Sequence, residues 1–157
     1  MHYTAELTPR GLELALSVVG ESDAVVGIHF YYKIPRGGGK VSSSVAENYM
    51  PYHKPPMAIP RKWLPKPNFL EFDLTEDADF TFHPHPDPLH GQIALDLIDY
   101  TLSTRYWSPS SENSWQLWHP KGSSFVCVEP LSAKNPLHPV LSTNSLVIHL
   151  SAAMNPH

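Results

Sequence analysis

The chain has 157 residues, of which 41% are hydrophobic and 17% are charged, a composition typical of one globular domain. Its formal charge of -4 and the absence of a long basic run exclude the electrostatic surface that nucleic-acid binding requires. Seventeen prolines stand against eight glycines, and proline is excluded from helix interiors and central strands. We therefore expect a single all-β domain over residues 1–157, built from short segments between turns.

The N-terminus has no basic region followed by an apolar stretch, and nowhere do about 18 apolar residues run together. This predicts a cytoplasmic protein with no membrane partner. Cys127 is the single cysteine, so an intrachain disulfide is impossible and a structural zinc site built on cysteines can be discounted. A reducing compartment fits this cysteine usage.

Alternation of apolar and polar residues predicts a first strand over residues 12–18, between Gly11 and Gly20. A second apolar segment, residues 24–32, enters a glycine-rich turn at residues 33–39. Residues 93–102 suit either a strand or a short helix, since their apolar positions also fit a 3.6-residue period. Further strands are predicted at residues 69–74, 78–82, 92–97, 100–107, 115–118, 125–128 and 146–150.

Residues 50–68 contain six prolines, four basic residues and no acidic ones. Proline lacks a backbone donor and fixes its own φ, so this segment is expected to form neither a helix nor a central strand. We predict a long ordered surface loop, and connections of this length inside a compact domain are usually functional or disordered.

Residues 115–130 read Trp-Gln-Leu-Trp-His-Pro-Lys-Gly-Ser-Ser-Phe-Val-Cys-Val-Glu-Pro. The run resembles the late hairpin of aldose 1-epimerases, where an aromatic-polar-Pro turn leads to Phe-Val-Cys-Val/Ile-Glu-Pro. Alternation places Phe125, Cys127 and Glu129 on one face, with a carboxylate at the end of an otherwise apolar strand. Pro130 holds Glu129 extended and so constrains its direction. The resemblance implies that Glu129 is a general base, and the alternative is a solvated strand-end glutamate.

Residues 27–32, Gly-Ile-His-Phe-Tyr-Tyr, look like the central strand of the same family, which carries a histidine that acts as general acid. By that resemblance His29 is the acid, although Phe30 replaces the usual proline or asparagine. His29 shares a face with Gly27 and Tyr31, and a glycine there leaves room for a ligand to approach the backbone. The alternative is a hydrogen-bonded histidine in a half-buried strand.

Residues 77–82 resemble the family's Leu-Asp-His-Val-Phe segment, whose aspartate binds sugar hydroxyls. Asp79 is the better register match, and a solvated acidic strand edge is the alternative. Flat apolar surfaces for the C–H face of a pyranose could come from several aromatic residues. These are Tyr31, Trp63, Trp107, Trp115 and Trp118.

Residues 82–91 invite a metal interpretation, because His83, His85, Asp87 and His90 are all plausible ligands. A His-x-His pair on a β-sandwich would suggest a metal-dependent cupin. Three interposed prolines make the stretch stiff, and no second glycine-flanked histidine motif completes a cupin site. We therefore assign no metal ligand here.

The resemblance implies an antiparallel β-sandwich of the galactose mutarotase-like (supersandwich) type, in a version equivalent to the C-terminal half of the family's domain. It also implies an isomerase that interconverts the anomers of a free sugar without a cofactor. A half-length sandwich would expose sheet edges and apolar surface, so we expect a homo-oligomer that covers them. The alternative function is a non-catalytic carbohydrate-binding or assembly module with the same fold.

Overall fold

The computed structural model describes residues 1–18, 25–35, 38–109, 112–138 and 145–155. These residues form thirteen β-strands and one 3₁₀ turn, Arg61–Trp63. Within these ranges, no helix has the length and apolar character needed to cross a membrane. The strands are β1 (His2–Thr8), β2 (Gly11–Ser17), β3 (Phe30–Lys33), β4 (Gly39–Ser44), β5 (Asn48–Pro51), β6 (Met57–Ala58), β7 (Phe69–Asp73), β8 (Ala78–Phe82), β9 (His90–Leu97), β10 (Tyr100–Trp107), β11 (Ser114–His119), β12 (Phe125–Leu131) and β13 (Ser145–Met154).

The strands form two antiparallel sheets that enclose one core. The seven-stranded sheet has the order β1-β2-β13-β10-β9-β4-β7, and the six-stranded sheet has the order β3-β12-β11-β8-β5-β6. Side chains from both sheets join a single hydrophobic cluster, for example Val41 and Ile148 from the first and Leu117 and Val126 from the second. The prediction of an all-β antiparallel sandwich is confirmed.

The strands with the clearest alternation lie where they were predicted. In β9, the buried positions Ile93, Leu95 and Leu97 alternate with the more exposed positions Gln92, Ala94 and Asp96. The helical alternative for residues 93–102 is wrong, because β9 pairs with β10 across the exposed turn at residues 98–99. Backbone pairing to two neighbouring strands overrides a helical period that local sequence alone permits.

Four of the described strands, β1, β4, β5 and β6, were not predicted. In β1, Tyr3, Ala5 and Leu7 do alternate with polar residues, but every residue of the strand except the last is exposed. In β4, Val41 is the only large apolar residue, so the sequence carries little periodic signal. The position of β4 between β9 and β7 supplies the pairing that its composition does not predict.

The proline-rich segment is exposed over residues 52–58, as a surface loop would be, but its two ends join the sheet and the core. It begins within β5, which pairs with both β8 and β6 and so lies inside the six-stranded sheet. Pro51 sits at the end of β5, where its missing N–H costs least. Trp63 is buried and packs its ring 5.0 Å from that of Phe72. The segment therefore closes one side of the core.

Predictions that involve residues 19–24, 36–37 and 110–111 fall outside the described residues. These include the glycine boundary at Gly20, the first residue of the segment predicted over residues 24–32, and parts of two turns. Within the described part of that segment, Gly27 forms an isolated bridge to Leu131 and regular pairing begins only at Phe30. The resulting strand β3 is an edge strand, not the central strand expected.

Candidate active site

His29 lies immediately before β3. Residues on either side of it in the chain are held by contacts to β12 and to Ser132, which follows β12. Upstream, the backbone N–H of Val26 donates to Ser132 Oγ at 2.9 Å, and the N–H of Ser132 donates to the Val26 carbonyl at 2.8 Å. Downstream, Tyr31 pairs with Cys127 in the β3–β12 ladder. These contacts bring the imidazole over the outer face of the six-stranded sheet.

Glu129 stands on that same outer face, on β12, between β3 and β11. Its cross-strand partner is Gln116, and the adjacent residue on β12, Val128, points into the core and is 1% exposed. Glu129 itself is only 8% exposed. The strand alternation thus places one carboxylate on an outer surface that neighbouring side chains largely cover.

His29 and Glu129 are in direct contact. His29 Nδ1 lies 2.9 Å from Glu129 Oε1, with the histidine side chain 47% exposed and the glutamate side chain 10% exposed. Burial raises the pKa of Glu129 above its usual range, and the Asp79 carboxylate adds to that rise. The imidazole of His29 and the thiol of Cys127 act in the opposite direction but do not cancel the effect of burial.

The Cys127 thiol, two residues before Glu129 on β12, donates a hydrogen bond to the Glu129 carboxylate. Burial, together with the adjacent carboxylate, raises the pKa of the thiol to about 12. The side chain is 0% exposed. Cys127 is therefore a protonated hydrogen-bond donor near neutral pH and not a nucleophile.

Asp79 extends the polar surface from β12 to β8. Its Oδ1 accepts a hydrogen bond from Gln116 Nε2 at 3.1 Å, and Gln116 also stands opposite Glu129 in the ladder. Burial raises the pKa of Asp79, whereas the Gln116 amide and the nearby His53 lower it. Sequence reasoning missed Gln116, although alternation along residues 115–118 places it on the same face as Glu129.

Three aromatic rings form a cluster beside the histidine, and we call Tyr31, Trp118 and Phe125 the aromatic platform. Tyr31 lies 5.5 Å from Phe125 and 6.2 Å from Trp118, and its ring centroid lies 4.6 Å from that of His29. Tyr31 is 60% exposed, so the platform presents a ring face to solvent. Such rings suit the apolar C–H face of a sugar.

The other predicted aromatic residues lie elsewhere. Trp115 is 0% exposed and its ring stacks on Phe82 at 4.8 Å, within the core. Trp63 is also a core residue, and Trp107 lies on the seven-stranded sheet. Burial or sheet membership separates these three residues from His29 and Glu129.

The space beside Gly27 is not open to a ligand. A Cβ built at Gly27 would lie 2.3 Å from Leu131 Cδ2 and 3.0 Å from the Pro130 carbonyl oxygen. The glycine therefore allows close packing of the backbone against β12, and the expectation of ligand access there is wrong. A concave surface of about 410 Å³ instead borders Asp79 and Trp118.

The histidine-rich stretch is not gathered into a metal site. His90 Nδ1 lies 2.8 Å from Asp87 Oδ2, and both side chains are more than half exposed. Burial lowers the pKa of His83, and Lys134 lowers it further. Among the described residues, a cluster of three metal-ligating side chains occurs only at His29, Cys127 and Glu129.

The fold of the chain is similar to that of several solved structures. No family model matches the sequence, and no curated protein matches it. A protein from Escherichia coli K12, provisionally assigned as an aldose 1-epimerase, superposes with a TM-score of 0.68 at 12% identity, over 98% of this chain and 60% of that one. The Slr1438 protein from Synechocystis sp. PCC 6803 superposes with a TM-score of 0.66 at 15% identity, over 98% of this chain and 54% of that one.

A third solved structure, HI1317, superposes with a TM-score of 0.59 at 14% identity, over 97% of this chain and 63% of that one. The chain thus spans between 54% and 63% of the length of these three proteins. Identities this low show the fold alone. The fold is the galactose mutarotase-like β-sandwich, and the chain corresponds to somewhat more than half of it.

Proposed function

We propose that this chain provides the acid–base machinery of an aldose 1-epimerase-like isomerase, which interconverts the α and β anomers of a free aldose. The observation that carries the proposal is the 2.9 Å contact between His29 and a largely buried Glu129. The fold shared with the Escherichia coli protein supports the same reaction class. A pyranose would rest on the aromatic platform, with Asp79 accepting a hydrogen bond from a sugar hydroxyl.

The reaction requires an acid and a base that lie close together, because the anomeric hydroxyl oxygen and the ring oxygen are both bonded to C1. Glu129 takes the proton from the anomeric hydroxyl while His29, as imidazolium, donates a proton to the ring oxygen. The bond between C1 and the ring oxygen breaks, and C1 becomes an aldehyde. Rotation about C1–C2 and reclosure from the other face, with the proton roles reversed, produce the opposite anomer.

The environment of each group favours its role. A carboxylate whose pKa is raised is a stronger base than a solvated one, and burial raises the pKa of Glu129. The hydrogen bond from Cys127 orients the carboxylate, which leaves Oε1 directed at His29. Each proton transfer is expected to contribute roughly 10²- to 10⁴-fold to the rate.

A second candidate function is carbohydrate binding without turnover. It is favoured by the exposure of the site, because nearly half of the His29 side chain and most of Tyr31 face solvent. Catalytic sites usually exclude water more completely than this. A chain that binds sugars through the aromatic platform but does not accelerate anomer exchange would have this function.

Exchange NMR between the α and β anomers of glucose and galactose separates the two functions. The native chain is expected to accelerate exchange above the buffer rate, and Glu129→Gln is expected to lose at least about 100-fold of that acceleration. Glu71→Gln is the matched control, since Glu71 pairs with Lys40 at 3.5 Å on the seven-stranded sheet. Equal rates for native protein and buffer, combined with measurable sugar binding, would favour the non-catalytic module.

We also propose that the chain forms a homo-oligomer. β1 is an edge strand whose apolar residues Tyr3 and Leu7 are 53% and 83% exposed, and an exposed edge of this kind invites strand pairing. Analytical ultracentrifugation at micromolar concentration should show a species larger than the monomer, and Leu7→Lys should weaken it. A clean monomer would contradict this proposal. The cytoplasmic location stays a prediction.

A further inference from the structure

We propose that His29, Cys127 and Glu129 form a binding site for Zn²⁺ or a similar borderline-soft divalent cation. One potential ligand atom from each residue lies within 4.8 Å of the other two. The three residues come from two segments, the residues before β3 and the strand β12, which the β3–β12 ladder holds in register. Imidazole, thiolate and carboxylate are the three ligand types that zinc uses in proteins.

A bound ion requires the three ligand atoms, which now lie within 4.8 Å of one another, to take up more equal separations. Zinc–ligand bonds of about 2.0–2.3 Å in a tetrahedral arrangement separate neighbouring ligand atoms by roughly 3.3–3.8 Å. His29 Nδ1 and Glu129 Oε1 are now 2.9 Å apart, so this pair must open by a few tenths of an ångström. His29 can supply that movement, because its side chain is nearly half exposed and it lies just outside the regular pairing of β3.

The chemistry of the ligands selects the class of ion. Mg²⁺ and Ca²⁺ prefer six or more oxygen ligands, and this site offers one carboxylate beside a sulfur and a nitrogen. Zn²⁺ accepts such a mixed set, and three protein ligands leave a fourth position for water. The Asp79 carboxylate, which acts electrostatically on Glu129, adds negative charge that favours a cation.

Coordination would rearrange the contacts within the cluster. In the metal-free protein the Cys127 thiol donates to Glu129. On binding, that proton leaves to solvent and the sulfur bonds to the ion, whose charge stabilises the thiolate despite its burial. The ion also takes the lone pairs of His29 and Glu129 that the proposed acid–base reaction uses. A bound ion is therefore expected to inhibit anomer exchange, and this consequence alone rests on the proposed function.

The binding test uses the full chain freed of metal with a chelator. Titration calorimetry with Zn²⁺ should show one equivalent bound, and Co²⁺ should give the absorption of a cobalt–thiolate bond. Cys127→Ser should abolish that absorption and weaken Zn²⁺ binding by roughly tenfold or more. His29→Gln, at a half-exposed position that does not endanger folding, should also weaken binding.

The matched control is His90→Gln, which breaks the exposed contact between His90 and Asp87 on the other sheet. This variant should bind Zn²⁺ as the native chain does. Binding that survives Cys127→Ser and His29→Gln unchanged, or that is lost in His90→Gln, would overturn the proposal. So would the absence of any cobalt–thiolate absorption in the native chain.

The binding and catalytic results remain distinguishable. Calorimetry and cobalt absorption report binding whether or not the chain is an enzyme. If native protein accelerates exchange, one equivalent of Zn²⁺ should remove most of that acceleration and a chelator should restore it. Full exchange activity in protein shown to hold Zn²⁺ would contradict the inhibitory role while leaving the binding site intact.

Discussion

The described part of the chain contains two histidine–carboxylate pairs of nearly equal length, one on the outer face of each sheet. His29 and Glu129 approach to 2.9 Å on the six-stranded sheet, and His90 and Asp87 approach to 2.8 Å at the seven-stranded sheet. The glutamate side chain is 10% exposed and the aspartate side chain is 53% exposed. The pKa of Glu129 is raised, whereas that of Asp87 is lowered.

The difference shows that burial, and not contact with an imidazole, decides whether the pKa of the carboxyl group is raised. In Asp87 the largest influence on the pKa is the hydrogen bond from the Leu89 backbone N–H, followed by that from His90, and the opposing effect of burial is smaller. In Glu129 the loss of solvent outweighs the favourable effects of His29 and Cys127. Of the two pairs, the one with the buried carboxylate fits the proposed roles of base and acid.

The largest expected effect is that of His29→Gln, and His90→Gln is its control. His29→Gln removes the proton donor to the ring oxygen and should lower the enzyme-dependent rate of anomer exchange by roughly 10²- to 10⁴-fold. His90→Gln should leave that rate unchanged, because His90 lies on the other sheet. Exchange NMR on both variants checks the comparison, and equal losses in the two would break it.

A third histidine, His119, is buried and provides a comparison with the two on the surface. The ring nitrogens of His119 lie 2.6 Å from the Leu74 carbonyl oxygen and 2.9 Å from the Phe125 carbonyl oxygen, and the residue is 1% exposed. His119→Ala would leave the buried Leu74 carbonyl without this partner, whereas the Phe125 carbonyl also accepts from Ser123 Oγ. The substitution should lower the free energy of unfolding by about 1–3 kcal/mol. Urea denaturation measures this, with His90→Ala as the exposed control. A change below about 0.5 kcal/mol in His119→Ala would show that water replaces the ring.

A smaller effect is expected from Asp79. Asp79→Asn keeps the shape of the side chain and the contact with Gln116 but removes a charge that would hold a sugar hydroxyl. It should raise KM for anomer exchange by roughly tenfold with a smaller change in kcat, because a hydrogen bond to a charged group contributes about 1.5–3 kcal/mol. Asp73→Asn, at an exposed position of β7, is the control. A loss confined to kcat would instead give Asp79 a direct role in proton transfer.

The smallest effect concerns His83, a partly buried member of the histidine-rich stretch. Burial, followed by the charge of Lys134, lowers its pKa from the ordinary 6.5. Below about pH 6.5 the unfolded chain therefore binds a proton that the folded chain resists, so stability is lost as the pH falls. His83→Gln should flatten the dependence of stability on pH between pH 7 and pH 5 in urea titrations. His90→Gln should retain the native slope.

Much of the fold could be predicted from alternation, and its failures have local causes. Strands such as β9 and β12 have the apolar spacing of a sheet with one buried face, so their positions were predictable. β4 has one large apolar side chain, and β5 lies in a segment whose prolines argue against strands. Both form because neighbouring strands supply hydrogen-bond partners, which no local pattern reports.

For the candidate site, the sequence by itself determined which residues are available and which way several of them point. Alternation along β12 and the restriction imposed by Pro130 direct Glu129 and Cys127 to one face. Only the tertiary structure decided that His29 meets Glu129, that Gln116 links the site to Asp79, and that Leu131 fills the space beside Gly27. The physical reason is that burial and distance depend on how β3, β8, β11 and β12 pair, and pairing is a property of the whole sheet.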